Sequence, residues 1–225
     1  GAAALSLGPA LPALAQDDPI KIGLGAALSG QSAKSGEALT RGLTIAIEEI
    51  NADGGILGKQ IEAVEEKSGF IPNVFIALAR RPDEFRAFFA YHDALMEKPG
   101  NLTKAEREMI VVATSAANQC QYCVIAHGAI LRIRAKNPLI AEQIAANYRK
   151  ADITPRQRSM LDFAMKVAQA SYEIGEDDFT ELGKHGLSEE DVWDIAGISA
   201  FFGMSNRLAN VMNMRPNDEF YMLGR

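Results

Sequence analysis

Residues 108–127 read EMIVVATSAANQCQYCVIAH and contain the two cysteines of this 225-residue chain. Cys120 and Cys123 are three residues apart, so on a helix their side chains occupy neighbouring positions of one face and need only modest adjustment to form a disulfide. His127 follows Cys123 by four residues and lies one turn further along that face. The apolar residues before the cysteines have helical spacing and are expected to face inward. The stretch therefore predicts a helical dithiol with a base beside it.

The chain after residue 72 has a helical pattern throughout. Several helix starts carry a capping or proline signal. The expected starts are Pro82, Thr103 with the capping box Thr103-Lys104-Ala105-Glu106, Asn118 as N-cap of the cysteine helix, Thr154 and Ser188. Later helices are expected at about 139–149, 155–172, 177–183 and 189–212. We predict an all-α helical bundle over residues 65–225, preceded by a short strand-loop-helix arm.

Residues 16–64 have a different pattern, that of a βα fragment. The run from Ile20 to Ala26 suits a buried strand, residues 37–51 have helical spacing, and residues 59–64 suit the start of a second strand. The runs from Ile20 to Leu28, Ser29-Gly30 and Ala46 to Gly55 resemble the mature start of type I periplasmic substrate-binding proteins of ABC transporters. Those proteins close two α/β lobes on a ligand, so a fragment of this length is not expected to act as a receptor.

The first residues and the composition bear on compartment and partners. Residues 1–15 resemble a truncated export signal, because Ala13-Leu14-Ala15 before Gln16 suits a signal-peptidase site. A net charge of −6 and no cluster of Lys and Arg argue against a nucleic-acid partner, and no segment has transmembrane length. Two cysteines in a C-x-x-C favour redox chemistry in a reducing compartment. We expect a cytoplasmic protein, with the periplasm as the alternative.

A carboxylate completes the cysteine motif, because Glu108 lies twelve residues before Cys120 and gives Glu-x11-Cys-x2-Cys-x3-His. This motif resembles the alkylhydroperoxidase D-like (AhpD-like) branch of the carboxymuconolactone decarboxylase superfamily. Four further runs resemble the peroxidase-related group of that branch, and the likeness covers about residues 65–225. They are Gly69-Phe70-Ile71-Pro72-Asn73-Val74-Phe75, Arg81-Pro82, Leu161-Asp162-Phe163-Ala164 and Asn206-Arg207-Leu208-Ala209.

The resemblance implies a thiol peroxidase in an all-helical fold that uses no cofactor or metal. It implies that Cys123 attacks the peroxide, Cys120 resolves the product as a disulfide, His127 is the base and Glu108 orients it. The implied partners are a hydroperoxide, an external dithiol or protein reductant, and further copies of the chain in a homo-oligomer. Family precedent also implies that the attacking thiol is the one beside the histidine.

Physical chemistry alone leaves the choice of nucleophile open. A free thiol has a pKa of about 8.5, so a fast peroxidase must lower it. His127, one turn from Cys123, favours ionisation there. The positive end of the helix dipole favours Cys120 instead. We expect Cys123 to attack, because the histidine and the family precedent agree.

The cysteine motif and the first residues also allow other interpretations. The cysteines could be plain core residues, or with His92 and His185 form a zinc site, although a structural site needs four ligands and no second C-x-x-C exists. A muconolactone decarboxylase would not need the dithiol. A solute-binding protein is supported by the first sixty residues alone.

For several other residues the sequence predicts a location in the fold and no role in catalysis. Glu108 taken alone suits a helix surface, and only its spacing gives it a role. His92 and His185 are expected at the surface or at helix ends. Trp193 is expected to pack with Phe201 and Phe202. Tyr122 stands where some relatives have a histidine, which puts a second proton relay at that position in doubt. A faint internal repeat aligns Ser205 with Cys120.

Overall fold

The computed structural model describes residues 20–24, 45, 47–49, 51–53, 61–65, 70 and 72–225. The chain divides into two compact units, Gly1–Ile71 and Pro72–Arg225. The signal-like residues 1–15 and the loop at 30–36 lie outside the described residues.

The first unit contains two short parallel strands. Strand β1 spans Ile20–Leu24 and strand β2 spans Ile61–Glu65, in a register that pairs Ile20 with Ile61 and Leu24 with Glu65. Residues 45, 47–49, 51 and 52 between them are helical, and Ile47 is buried. A parallel pair needs a crossover connection, usually helical. The described residues thus confirm the first strand, the helical residues and the second strand of the expected arm, whereas its loop lies outside them.

The second unit is all-α, as predicted. Its helices are α1 (Asn73–Ala79), α2 (Pro82–Met96), α3 (Lys104–Ala117), α4 (Gln121–Ala135), α5 (Ile140–Asn147), α6 (Pro155–Ala170), α7 (Glu176–Lys184) and α8 (Glu189–Val211). Short 3-10 helices lie at Tyr148–Lys150, Ser171–Glu173 and Asp218–Tyr221. No helix among the described residues is both long and apolar enough to cross a bilayer.

Helix α3 lies at the centre of this unit. It packs against α4, α5, α6 and α8, and Ile110, Val111 and Val112 are fully buried although they are consecutive. A helix buried on every side belongs in the middle of a bundle. Residues 106–115 of α3, which include Glu108, are therefore surrounded by protein.

The capping signals were right at three helix starts and wrong at one. Thr103, Thr154 and Ser188 each form a capping box with the third residue of the following helix. Asn118, expected to be the N-cap of α4, is instead the C-cap of α3. The N-cap of α4 is Cys120, because Gln119 adopts a left-handed φ of 52° and turns the chain there.

A buried charge cluster joins α2, α3 and α8. The fully buried Arg107 donates from Nη1 to the carbonyl oxygen of Leu95 at 2.6 Å, and its Nη2 lies 3.3 Å from Asp194 Oδ2. Lys98 forms a second ion pair with Asp194. Gly100 leaves room for the guanidinium, since a Cβ there would lie 2.9 Å from Arg107 Nη2. The carboxylate of Asp194 thus compensates the buried charge of Arg107, which would destabilise the fold if it had no partner.

The expectation that Trp193 packs in the core is wrong. Its surface is 74% exposed, whereas Phe201 and Phe202 are buried. Helix α8 buries Val192 and Ile195 toward the bundle. Trp193 lies off that stripe, on the outward side of the helix.

Candidate active site

A tight helical hairpin brings the sequence-predicted residues together. Residues 118–120 join α3 to α4. The Asn118 N–H donates to the carbonyl oxygen of Thr114 at 3.1 Å, and the Cys120 N–H donates to that of Ser115 at 3.0 Å. These bonds fold α4 back along α3. Glu108 and His127, on the two arms of the hairpin, therefore meet.

Glu108 and His127 form a buried hydrogen-bonded pair. His127 Nδ1 lies 2.7 Å from Glu108 Oε2, and Glu108 is only 2% exposed. An ionised carboxylate can only accept, so Nδ1 carries the hydrogen and donates. In the neutral ring Nε2 is then the free acceptor. Glu108 is therefore not a surface charge, and it fixes the tautomer and orientation of the imidazole.

Arg134 compensates the charge of this buried carboxylate. Its Nη1 lies 3.2 Å from Glu108 Oε1 as an ion pair, and its Nη2 donates to Glu97 Oε1 at 2.5 Å. A buried carboxylate needs such a partner. Arg134 was not among the residues predicted for the site. Its signal was the spacing of seven residues after His127, two turns along the same helix face.

The two cysteines are free, buried and hydrogen-bonded to each other. Cys120 is the N-cap of α4 and Cys123 its third residue. The pKa of the Cys120 thiol falls to about 7, first because the Cys123 thiol donates to it, and then, against the cost of burial, because of the Cys123 amide, Asn206 and His127. The pKa of Cys123 is raised, because its proton is held by Cys120 and its thiol is buried.

The pair therefore shares one proton and titrates as a unit. One proton leaves near neutral pH and the second is much harder to remove. The resting charge therefore lies on Cys120, the sulfur at the helix start, because its pKa is the lowered one. The position of His127 in the sequence had favoured Cys123.

Helix α8 adds polar groups that the sequence analysis did not assign to the site. Asn206 is fully buried. Its Nδ2 donates to Ser115 Oγ at 2.9 Å and its Oδ1 accepts from Asn118 Nδ2 at 2.9 Å. The Asn206 amide also acts to lower the pKa of both cysteine thiols. Ser205 also acts to lower the pKa of the Cys123 thiol, against the larger effects of Cys120 and burial. Two sequence signals pointed to this helix without assigning it a role in the site: the faint repeat that aligned Ser205 with Cys120, and the family resemblance of the run that begins at Asn206.

The imidazole of His127 has an aromatic neighbour and a second imidazole nearby. The Phe202 ring stands edge-on to it, with centroids 4.7 Å apart. The His92 ring lies 6.4 Å away and its Nδ1 is 2.9 Å from Asp93 Oδ1. His92, expected at the surface, is half-buried beside the site. His185 ends α7 as its C-cap, as expected.

The hydroxyl of Tyr122 is engaged by α1. It accepts a hydrogen bond from the Val74 N–H at 3.2 Å. The pKa of Tyr122 is raised to about 12, mainly by burial, so the phenol is neutral at physiological pH. Tyr122 thus ties the cysteine helix to the first helix of the unit.

Comparison with known proteins identifies the family. A solved structure from Ralstonia eutropha JMP134, an alkylhydroperoxidase AhpD core described as an uncharacterized peroxidase-related protein, is 61% identical over 84% of this chain and 92% of its own, with a TM-score of 0.69. The chain belongs to the AhpD-like peroxidase-related proteins. A second such protein, from Silicibacter sp. TM1040, is 38% identical over 82% of this chain and 90% of its own, with a TM-score of 0.67. The carboxymuconolactone decarboxylase family matches residues 82–170 of this AhpD-like chain.

The resemblance of the first residues to periplasmic binding proteins is also confirmed. That family matches residues 19–122, beyond the start of the helical unit. A Leu/Ile/Val-binding protein homolog 2 from Brucella abortus (strain 2308) is 30% identical over 101 residues. The match covers 44% of this chain and 27% of that protein. The chain thus spans about a quarter of the length of this curated relative.

Proposed function

We propose that the protein is a thiol-dependent hydroperoxide reductase that cycles between a dithiol and a Cys120–Cys123 disulfide. The observation that carries the proposal is the buried, free cysteine pair that shares one proton, with the Glu108–His127 pair close by. The family supports it at the level of a peroxidase-related role.

In the proposed cycle Cys123 attacks one oxygen of the hydroperoxide as a thiolate. The S–O bond forms as the O–O bond breaks, so the sulfur loses two electrons and becomes a sulfenic acid, and the released alkoxide leaves as an alcohol after taking a proton. Cys120 then attacks the sulfenic sulfur. The S–S bond forms, and hydroxide leaves as water after protonation. An external dithiol or protein reductant restores both thiols and is itself oxidised to a disulfide.

The hydrogen bond between the sulfurs delivers the charge to Cys123. At rest Cys120 is the acceptor and Cys123 holds the proton. Transfer of that proton within the bond places the anion on Cys123, where Asn206 and Ser205 also favour it. His127, oriented by Glu108, takes at Nε2 the first proton that the cysteine pair releases and then, as the imidazolium, gives this proton to the departing oxygen. The site thus needs no further ionisable group for the first step.

The test is one equivalent of hydroperoxide added to the reduced protein, followed by thiol titration and mass spectrometry. Two thiols per chain should disappear, one alcohol should form, and the new bond should join Cys120 to Cys123. Cys120→Ser should retain a trappable sulfenic acid on Cys123, whereas Cys123→Ser should not react. A reactive Cys123→Ser variant with an inert Cys120→Ser would reverse the two roles. An unchanged thiol count in the parental protein refutes the peroxidase proposal.

A further inference from the structure

The carboxylate of Glu108 lies between two side chains of α4. Its Oε2 is 2.7 Å from His127 Nδ1, and its Oε1 is 3.2 Å from Arg134 Nη1. The side chain of Glu108 is 2% exposed, and those of His127 and Arg134 are 13% and 22% exposed. Water therefore screens these three groups poorly, and the charge on one affects the protonation of the others.

Arg134 acts on this carboxylate mainly through its charge. Its Nη1 is buried and has no hydrogen-bond partner within the part of the chain that the structure describes, although it lies at ion-pair distance from Glu108. Its Nη2 anchors the guanidinium by donating to Glu97 Oε1 at 2.5 Å, and Lys104 forms a further ion pair with Glu97. A guanidinium stays protonated in proteins, so a fixed positive charge faces Glu108.

Other groups also lie near the ring of His127. The dithiol is at the start of the same helix, and His127 helps to lower the pKa of Cys120. His92 of α2 is a second imidazole, 6.4 Å away between ring centroids, and α8 presents the uncharged ring of Phe202. Glu142 of α5 pairs with two other arginines. These groups stay the same when Arg134 is replaced.

The direction of the effect of Arg134 follows from the total charge of the three groups. Without Arg134, Glu108 and His127 would together carry one negative charge with a neutral ring and no net charge with an imidazolium. A buried site favours the uncharged total, so the ring would retain its proton. With Arg134 the neutral ring gives the uncharged total. Arg134 therefore favours the neutral ring, which is the form that can accept a proton.

We propose that Arg134 is a positioning residue that offsets the charge of Glu108 and so keeps the ring of His127 neutral at rest, ready to accept the proton that the cysteine pair releases. The proposal rests on the proposed function, in which His127 takes that proton. Arg134 acts through Glu108 and not on the reacting atoms. Glu108 alone would orient the ring and also hold its proton, whereas Glu108 with Arg134 orients the ring and leaves it free to take one.

The test follows the protonation of His127 by NMR of its ring nitrogens in the reduced protein, without any peroxide. The pH is varied across the neutral range in the parental protein and in Arg134→Gln, Arg134→Met and Arg134→Lys. The chain has three histidines, so His92→Gln and His185→Gln assign the signals. The nitrogen shifts report the ring itself and are distinct from the titration of the thiols.

Arg156→Gln is the matched control. Its Nη1 lies 3.4 Å from Glu106 Oε1, and the side chains of Arg156 and Glu106 are 25% and 7% exposed. This pair thus resembles the Arg134–Glu108 pair in distance and burial, and its carboxylate also lies on α3. The bonds of Glu106 lead to Thr103 and not to a histidine.

Arg134→Gln and Arg134→Met should each raise the pH of half-protonation of His127 by about one unit, a roughly tenfold larger protonated fraction above that pH. Arg134→Lys keeps the charge and should return the value close to the parental one. Arg156→Gln should leave it unchanged. A merely structural Arg134 would lower the free energy of unfolding in urea and leave the titration of His127 unmoved.

An unmoved or lowered value in either folded neutral variant overturns the proposal. An imidazolium in the parental reduced protein at about pH 7.5 overturns it without any substitution. Because the titration uses no peroxide, failure of the hydroperoxide reductase proposal leaves the His127 titration as it is. An unmoved titration, in turn, leaves the count of thiols lost to peroxide as it is.

Discussion

Glu108→Gln is the substitution that separates the role of the carboxylate charge from that of its shape. Glutamine fills the same buried space on α3 and still offers an oxygen to His127 Nδ1. It removes the negative charge that faces both His127 and Arg134. Glu97→Gln is the matched control, because Glu97 also pairs with Arg134 but does not touch His127.

The size of the effect follows from the bonds that change. A hydrogen bond to a charged group contributes about 1.5–3 kcal/mol and a neutral one about 0.5–1.5 kcal/mol, so the 2.7 Å His127–Glu108 bond should weaken by about 1–2 kcal/mol. If that loss falls on the peroxide step, its rate drops about 5- to 30-fold. Arg134 keeps Glu97 as a partner, so the protein should stay folded, with about 1–2 kcal/mol less stability.

Single-turnover kinetics measure this effect. Reduced protein is mixed with excess hydroperoxide, and free thiols are quenched and counted over time, with folding checked by circular dichroism and urea unfolding. Glu97→Gln should oxidise at the parental rate, and Glu108→Gln clearly more slowly. Equal rates for Glu108→Gln and the parental protein, with both folded, would refute the claim that the carboxylate supports the reaction through His127.

Three other perturbations follow from the structure. The folded-state pKa of Cys120 lies near 7, below its ordinary value of 9.0. The free energy of unfolding of the reduced protein should therefore rise from pH 7 to 9, and this contribution should be lost as the pH falls through 7. Urea titrations across that range measure the free energy of unfolding, and Cys120→Ser should flatten its pH profile. Gly100→Ala would place a Cβ 2.9 Å from Arg107 Nη2, which should destabilise the fold by about 1–3 kcal/mol in urea unfolding, and no loss would mean that the guanidinium moves freely. Asp194→Ala leaves the buried Arg107 without its carboxylate, and a loss well below about 3 kcal/mol would contradict the charge compensation described here.

The motif residues could be predicted because they lie on two helices that are consecutive in the chain. Cys123 and His127 lie on α4 and Cys120 is its N-cap, so helical spacing places the three close together. Glu108 lies on α3, and a short turn leaves α3 and α4 little choice but to pack side by side. The hydrogen bond between Glu108 and His127 is therefore close to a local property of the sequence.

The rest of the site depends on contacts between distant parts of the chain. Asn206 lies 91 residues from its hydrogen-bond partner Ser115 and 88 from Asn118, and no helical period indicates which turn of α8 faces the cysteines. The spacing of the residues also could not predict which of the two sulfurs carries the resting charge. It depends on which sulfur accepts the shared proton, and the turn at Gln119 makes Cys120 the N-cap.

Most helix starts could be predicted because a capping box joins residues that are only three positions apart. Thr103, Thr154 and Ser188 have their partners three residues away. The prediction that Asn118 is an N-cap was wrong because asparagine suits both ends of a helix. Only the left-handed φ of the next residue shows which end Asn118 occupies. The prediction that Trp193 packs in the core was wrong because a large apolar side chain suggests a core position, whereas Trp193 lies on the outward side of α8.

Connections between helices usually tolerate changes in length, but the link at residues 118–120 has little freedom to lengthen. One residue inserted in this link, before Cys120, would lengthen one of the two helices, and each added helical residue brings a rotation of about 100° and a shift of about 1.5 Å along the axis. Cys120, Cys123 and His127 would move as one body, and Glu108 would stay behind on α3. Evolution can therefore exchange side chains around this dithiol more easily than it can change the number of residues in that link.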